Sequence, residues 1–156
     1  MRLIRHYQSP DMQACLDIFD ANTPRFFSLA ERNDFKNFLL SYAVDWNYLV
    51  IEVNGSIVAC GGLNYEQDAK SAIFCWGMVA NNLQGTGLGK MLTIARLKRA
   101  NVICGVEKIR LNTSQHTQGF YAKLGFLPER IIPDGYGPGL DRWEMTLNLE
   151  NAAEEV

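Results

Sequence analysis

The spacing of hydrophobic residues changes between two periods along the chain, and the order of these periods predicts a layered fold. Apolar residues follow helical spacing at residues 12–19, 29–42 and 90–104. Short runs of strand length lie between and after these segments, separated by Gly, Pro, Asn or Asp residues. The predicted order is β-α-α-β-β-β-α-β-α-β-β, an α/β (α+β) domain with a mixed sheet and helices on both faces.

Turn residues mark several boundaries between the predicted strands. Asn54 and Gly55 form the dipeptide most typical of a β-hairpin with a two-residue type I′ turn. The segment 132–139 contains three glycines and two prolines. It is therefore predicted to be a loop between strands at 127–131 and 142–149.

Length and composition are those of one ordinary globular domain. The chain has 156 residues, 47% of them hydrophobic and 21% charged, and we expect a single domain at 1–150 with a frayed tail at 151–156. A net charge of −2 does not suggest a nucleic-acid-binding face, and no apolar run could span a bilayer. The charged N-terminus is unlike a signal peptide, so we expect a cytoplasmic protein. The histidines and cysteines show no metal-ligand spacing, and no metal is expected.

The most informative local feature is a glycine-rich loop between a predicted strand and a predicted helix. An apolar run at 72–79 precedes the loop, which contains Gly85, Gly87 and Gly89, and a helix-forming run begins at Lys90. Glycines let backbone N–H groups approach a phosphate closely, and a helix N-terminus adds about half a positive charge. The loop therefore predicts a site for a phosphate-containing ligand.

The spacing within this loop excludes two common phosphate-binding motifs. A Walker P-loop needs Ser or Thr directly after its lysine, but Met91 follows Lys90. The dinucleotide motif G-x-G-x-x-G needs a glycine where this chain has Lys90 or Leu92. Residues 84, 87 and 89 (Gln, Gly and Gly) instead fit the pattern Q/R-x-x-G-x-G/A. This pattern resembles the pyrophosphate loop of the GNAT superfamily of acetyl-CoA-dependent N-acyltransferases.

A second motif strengthens the resemblance. Residues 120–126 read F-Y-A-K-L-G-F, which is similar to the F-Y-x-K-L-G-F signature that follows the CoA loop in GNAT proteins. Helix capping explains Gly125, but it does not explain a tyrosine at the matching position downstream of a matching loop. The resemblance covers residues 3–149. It implies a GNAT-like, mostly antiparallel sheet of about seven strands, in which the central strands are parallel and splay apart.

The resemblance also implies a ligand and the residues that contact it. Acetyl-CoA would be the co-substrate, with its pantetheine arm between the splayed strands and against the backbone of Met78 and Val79. Backbone N–H groups of the loop would hold the pyrophosphate, and the residues concerned are Gln84, Gly85, Thr86, Gly87, Leu88, Gly89 and Lys90. Asn112 and Ser114 are further candidates for cofactor contact. Asn112 is alternatively explained as a strand-end residue that bonds to the local backbone.

Acyl transfer from a thioester to an amine needs a group that takes a proton and one that stabilises or protonates the leaving sulfur. Tyr121 matches the general acid of the family, and the alternative is that its hydroxyl only hydrogen-bonds the cofactor. The strand at 71–79 contains no carboxylate, which leaves the general base open. The candidates are water held by backbone carbonyls or by Asn112, Ser114 or Tyr65, or one of the carboxylates Glu31, Glu66, Asp134 and Glu144.

The acceptor pocket is predicted from aromatic residues in the segments that line it in GNAT proteins. Phe26 and Phe27 follow the first helix, and Tyr136 lies in the late loop. Aromatic side chains suit an apolar or cationic ligand, and core packing is the alternative. The expected reaction is direct acetyl transfer, in a ternary complex, to a primary amine of a small molecule or peptide. Neither a nucleic-acid nor a membrane partner is expected, and a homodimer is the common default.

Two other functional classes stay open at this point. A non-catalytic acyl-CoA-binding or sensing module would explain why the strand before the loop lacks a carboxylate. A domain that binds another phosphate-containing ligand, such as a nucleotide, would explain the glycines alone. The presence of both the loop and Tyr121 favours an enzyme.

Overall fold

The computed structural model describes residues 1–149, which contribute seven strands to one sheet. In chain order the strands are β1 Arg2–His6, β2 Leu49–Val53, β3 Ser56–Glu66, β4 Ser71–Val79, β5 Lys108–Thr113, β6 Leu127–Gly137 and β7 Leu140–Asn148. Within the same residues the α-helices are α1 Met12–Ala21, α2 Glu31–Ser41, α3 Leu88–Val102 and α4 Gln118–Lys123. The predicted order of elements is confirmed. The tail predicted at 151–156 lies outside the described residues.

The sheet is antiparallel except at its centre. Its strand order is β1-β2-β3-β4-β5-β7-β6, and β4 and β5 form the parallel pair. These two strands pair only from Ser71 to Ile73 on β4, opposite Lys108 to Arg110 on β5. Beyond Ile73 they diverge, so a cleft opens between the two halves of the sheet. The predicted mixed, mostly antiparallel sheet with a splayed parallel centre is confirmed.

Hydrophobic clusters hold helices against both faces of the sheet. On one face, α1 and α2 pack through a largely aromatic cluster that includes Phe19, Phe35 and Tyr48. On the other face, α3 packs mainly against β3 and β4, and Leu97 of α3 joins a cluster with Phe126 and apolar residues of β5 and β7. None of the helices in residues 1–149 is long and apolar enough to cross a bilayer.

Strand β6 is longer than the sequence indicates. A loop was expected at 132–139, but the strand continues to Gly137, which pairs with Leu140. The register is irregular between Ile132 and Gly137, which accommodates the glycines and the proline. The Asp134 carboxylate accepts a hydrogen bond from the Gly139 N–H (2.8 Å), which closes the turn. The composition indicates the turn correctly but not the cross-strand pairing.

A buried carboxylate fixes the junction between β1 and α1. Asp11 is 7% exposed and accepts hydrogen bonds from the Gln8 N–H (2.8 Å) and from two nitrogens of Arg5 (2.7 and 2.8 Å). The Arg5 guanidinium also pairs with Glu52 of β2. The hydrogen bonds from Arg5 lower the pKa of the Asp11 carboxyl, against the opposing effect of burial.

Replacement of Asp11 by Asn is expected to destabilise the fold by about 2 kcal/mol at neutral pH, since charge-assisted hydrogen bonds are lost. The folded-state pKa of Asp11 lies below its unfolded value of about 3.9, so this stabilisation is fully present above that value and disappears as pH falls through the folded pKa. Urea unfolding at a series of pH values measures it. Asp17→Asn, at an exposed position of α1, is the control. A stability difference that stays constant into acid would contradict the assignment.

Candidate active site

The glycine-rich loop joins the end of β4 to the start of α3. Gly85 and Gly87 have φ values of 81° and 90°, which lie in the left-handed region that favours glycine. Gly87 is also the N-cap residue of α3. The first N–H groups of a helix have no intrahelical partner and carry partial positive charge. The loop and the first turn of α3 therefore form a backbone site for an anion.

Hydrogen bonds and close packing fix the shape of this loop. Thr86 Oγ1 donates to the Leu83 carbonyl (2.5 Å), and the Thr86 carbonyl accepts a hydrogen bond from Arg2 (2.7 Å). A Cβ atom on Gly89 would lie 3.4 Å from the Phe120 ring and 3.7 Å from the Val79 side chain. Gly89 thus lets α3 and α4 approach each other beside the end of β4.

Asn22, at the C-terminal end of α1, links the loop to the cleft. It is 3% exposed, and its Nδ2 donates to the carbonyls of Ile18 (2.8 Å) and Val79 (2.9 Å). Its Oδ1 accepts a hydrogen bond from Gln84 Nε2 (2.7 Å). No motif in the sequence marks Asn22 as part of the site. The only sequence signal was its position before Thr-Pro, which is typical of a helix end.

The alternation of β4 determines which of its backbone groups face the cleft. The Ala80 N–H donates to the Val58 carbonyl of β3 (2.7 Å). Alternate residues of an antiparallel strand point to the same neighbour, so Met78 also turns its N–H towards β3. Val79 and Gly77 then turn theirs towards the cleft. Met78 itself is 6% exposed and packs in the core. We therefore expect Val79 and Gly77, rather than Met78, to offer backbone N–H groups to a ligand.

Helix α4 carries Tyr121 next to the same cleft. The ring of Tyr121 packs edge-on against Phe120 and Phe126, with centroid distances of 5.1 and 5.6 Å. Phe120 lies against Gly89 at the start of α3. The Tyr121 hydroxyl makes no hydrogen bond to any of residues 1–149. The ring is thus held by packing while the hydroxyl is free to contact a ligand.

Ser114 and Asn112 occupy different environments. Ser114 is 3% exposed, and its carbonyl accepts hydrogen bonds from Thr117 (3.2 Å) and Gln118 (3.0 Å) at the start of α4. It therefore helps to position the helix that carries Tyr121. Asn112 is exposed and lies opposite Glu144 of β7. A contact of either residue with a cofactor stays a prediction.

The structure separates two of the residues predicted for the acceptor pocket. Phe27 stacks on Phe19, with a centroid distance of 4.9 Å, and packs against the aromatic core cluster. Phe26 instead lies edge-on to His116 of the β5–α4 turn, with a centroid distance of 6.1 Å. Phe26 therefore lies where the α1–α2 segment contacts that turn, whereas Phe27 packs mainly against the hydrophobic core.

Tyr136 lies near the start of α2, beside a partly buried carboxylate. Its neighbour Gly137 approaches Ser28, since a Cβ atom on Gly137 would lie 3.7 Å from that of Ser28. Glu31 accepts hydrogen bonds from the Ser28 N–H (2.8 Å) and hydroxyl (3.2 Å). Burial raises the pKa of the Glu31 carboxyl, although these bonds oppose the rise. Burial also raises the pKa of the Tyr136 phenol, and the negative charge of Glu31 adds to that effect.

A family model described as an acetyltransferase (GNAT) domain matches residues 45–128, which include β4, the glycine-rich loop and α4. The chain belongs to the GNAT acetyltransferase family. It is therefore an acyltransferase, and its glycine-rich loop and Tyr121 both lie within the matched region. No curated protein sequence matches the chain.

Solved GNAT structures share the fold across nearly the whole chain. The ribosomal-protein-S18-alanine N-acetyltransferase of Escherichia coli is 19% identical, with 95% of this chain and 94% of that chain covered and a TM-score of 0.77. The ribosomal-protein-alanine N-acetyltransferase of Brucella melitensis is 22% identical, with coverage of 94% and 99% and a TM-score of 0.74. The yncA protein of Salmonella typhimurium, solved with its cofactor acetyl-CoA, is 18% identical, with coverage of 96% and 94% and a TM-score of 0.74. At these identities the comparison establishes the fold alone.

A second concave region of this GNAT chain borders residues 80–82, which directly follow β4. A depression of about 650 Å³ lies between α1 and the β2–β3 turn. Its charged lining residues include Arg5, Asp11 and Glu52, which are already bonded to one another. Among residues 1–149, no group of three or more His, Cys, Asp or Glu side chains is arranged to hold a metal ion. The cleft is therefore the better candidate for the active site.

Replacement of Asn22 by Ala is expected to weaken acetyl-CoA binding about tenfold, since Gln84 and the Val79 carbonyl lose their hydrogen-bond partner. Isothermal titration calorimetry measures the Kd. Gln13→Ala, at an exposed position of α1, is the matched control. An unchanged Kd together with a lowered melting temperature would mean that Asn22 only caps the helix.

Proposed function

We propose that this protein is an N-acetyltransferase that moves an acetyl group from acetyl-CoA to a primary amine of a small molecule or peptide. The observation that carries the proposal is the cleft between β4 and β5, with the anion-binding loop at its end and the free Tyr121 hydroxyl beside it. A Salmonella typhimurium protein of the same fold contains acetyl-CoA, and two further relatives in fold are named as N-acetyltransferases. These likenesses support both the co-substrate and the reaction.

The co-substrate is proposed to bind mainly through backbone groups. N–H groups of the loop and of the first turn of α3 hold the pyrophosphate, where Gly85 and Gly87 allow the required backbone shape. The pantetheine arm follows β4 and accepts hydrogen bonds from Val79 and Gly77. The thioester then reaches the part of the cleft that faces Tyr121.

The reaction requires a neutral amine and a stabilised leaving group. An alkylamine has a pKa of about 10.4 in water, so it must lose a proton before or during attack. The amine nitrogen attacks the thioester carbon, the C–S bond breaks, and the electron pair stays on sulfur. Tyr121 donates its phenolic proton to that sulfur as the general acid.

Glu31 is the proposed proton acceptor. It is partly buried beside Tyr136, and burial raises the pKa of its carboxyl towards the range useful for a base at neutral pH. Of the other carboxylates considered, Glu66 and Glu144 pair with Arg110 and Arg142, and Asp134 closes the β6–β7 turn through Gly139. Glu31 is bonded only to Ser28, and none of the ion pairs found in residues 1–149 includes it. A proton acceptor outside β4 removes the main reason to favour a non-catalytic module. A homodimer and a cytoplasmic location stay predictions.

The proposal is tested by thiol release from acetyl-CoA across a panel of polyamines, amino acids, aminoglycosides and short peptides. The expected result is release that depends on one class of acceptor. If no acceptor gives release while acetyl-CoA still raises the melting temperature, the acyl-CoA-binding module becomes the better interpretation.

Replacement of Tyr121 by Phe is expected to lower kcat about a hundredfold or more, since the general acid is lost. The KM for acetyl-CoA should change little, because the ring still packs against Phe120 and Phe126. Steady-state kinetics measures both constants. Tyr42→Phe, at an exposed tyrosine, is the control. An unchanged kcat would remove Tyr121 from the acid role.

Replacement of Glu31 by Gln is expected to remove the acidic limb of the pH profile of kcat/KM for the amine. A base works only when deprotonated, so wild-type activity should rise as pH passes the raised pKa of Glu31, above the usual value of about 4.3. Asp34→Asn, at an exposed position in the same helical turn, is the control. If Glu31→Gln keeps the same acidic limb and rate, another group is the proton acceptor.

A further inference from the structure

A positive charge lies buried beneath the cleft without a carboxylate partner. Arg96 of α3 is 1% exposed, and none of the ion pairs found in residues 1–149 includes it. Its Nε has no hydrogen-bond partner within those residues, and its Nη1 donates only a long bond (3.4 Å) to the Gly62 carbonyl. An unpaired buried cation is destabilising, so its presence in the core needs a physical reason.

The sheet is shaped to accept this guanidinium. A Cβ atom on Gly61 would lie 3.2 Å from Arg96 Cζ, and one on Gly77 would lie 3.1 Å from its Nη2. The Phe74 ring lies against the guanidinium, with Cζ 4.1 Å from the ring centroid, which is a cation–π contact. Two glycines and one aromatic ring therefore form a slot that fits a planar cation.

The slot coincides with a bulge in β4 that lies on the wall of the cleft. The β3–β4 register shifts between Cys60 and Gly62, and Trp76 has a φ of 45°. The bulge follows Ile73, where β4 has already separated from β5. Bulges next to active sites re-aim backbone and side chains. The backbone of β4 at Gly77 thus separates the guanidinium from the cleft.

We propose that Arg96 is a positioning residue for acyl transfer, whose charge, acting through the β4 bulge, stabilises the CoA thiolate that forms in the cleft. The inference rests on the proposed N-acetyltransferase function. When the amine displaces sulfur, the C–S electron pair stays on sulfur until Tyr121 gives up its proton. A buried cation acts on that negative charge through a low-dielectric medium, where Coulomb interactions are strong.

The other ionisable groups near this position do not neutralise Arg96. From β4, burial raises the pKa of the Cys75 thiol to about 12, so the thiol is neutral at physiological pH. From β5, Arg110 is paired with Glu66. The CoA thiolate that forms during the reaction is therefore the negative charge proposed to interact with Arg96.

The test measures the thiolate fraction of bound CoA as a function of pH, from thiolate absorbance, in the wild type, Arg96→Met and Arg96→Lys. The pKa of the CoA thiol is expected to fall on binding to the wild type, and the thiolate fraction at a given pH is expected to be about tenfold lower in Arg96→Met. Arg96→Lys keeps the charge and should retain most of the effect. Acetyl-CoA has no free thiol, so its Kd should change little. Lys98→Met, at an exposed position of α3, is the control.

In turnover, Arg96→Met should lower kcat about tenfold with little change in the KM for the amine. Equal thiolate fractions in wild type and Arg96→Met would overturn the inference and leave the proposed function intact. If Arg96→Met does not fold, the pKa of the CoA thiol is compared between free CoA and CoA bound to the wild type. A pKa that does not fall on binding would also overturn the inference. A wild type that binds neither CoA nor acetyl-CoA overturns the proposed function and the inference together.

Discussion

The short parallel pairing of β4 and β5 is the constraint on which the rest of this structure depends. Three residues of each strand hold the two halves of the sheet together, and beyond Ile73 the strands part. Phe74 and Phe126 pack near this point, with ring centroids 6.1 Å apart, so the divergence is fixed within the core. The glycine-rich loop follows β4, and α4 with Tyr121 follows β5. The divergence of the two strands therefore places both features beside the cleft.

Beyond Ile73, the edge of β4 that faces β5 has no strand of residues 1–149 paired with it. The wall of the cleft therefore needs other contacts to keep its shape. Three side chains from separate parts of the chain supply these contacts along β4. Asn22 bonds to the Val79 carbonyl, Tyr48 donates to the Trp76 carbonyl (2.7 Å), and Arg96 lies against Gly77. The same contacts join the cofactor loop to α1 and place a positive charge behind the cleft. The backbone of β4 is therefore held in place by residues well outside the glycine motif.

The sequence predicts those parts of the fold that local signals determine. The bounds of β4, the Asn54–Gly55 hairpin and the loop before α3 follow from apolar runs and turn residues, and the structure has them. The extension of β6 could not be predicted, because it depends on pairing with β7. The roles proposed for Asn22 and Glu31 depend on tertiary contacts, which local sequence signals do not show. Arg96 had a usable signal, since it lies four residues from Leu92 and from Ala100 on the buried stripe of α3.

Hydrogen exchange of backbone amides, with and without saturating CoA, tests most directly whether the ligand lies between β4 and β5. We expect slower exchange at residues 77–90 on ligand binding, because these amides would bond to pantetheine and pyrophosphate. Exchange in the depression beside α1, at residues 10–17 and 52–57, should not change. Protection at residues 10–17 and 52–57, with none at 77–79 and 84–90, would contradict a ligand site between β4 and β5.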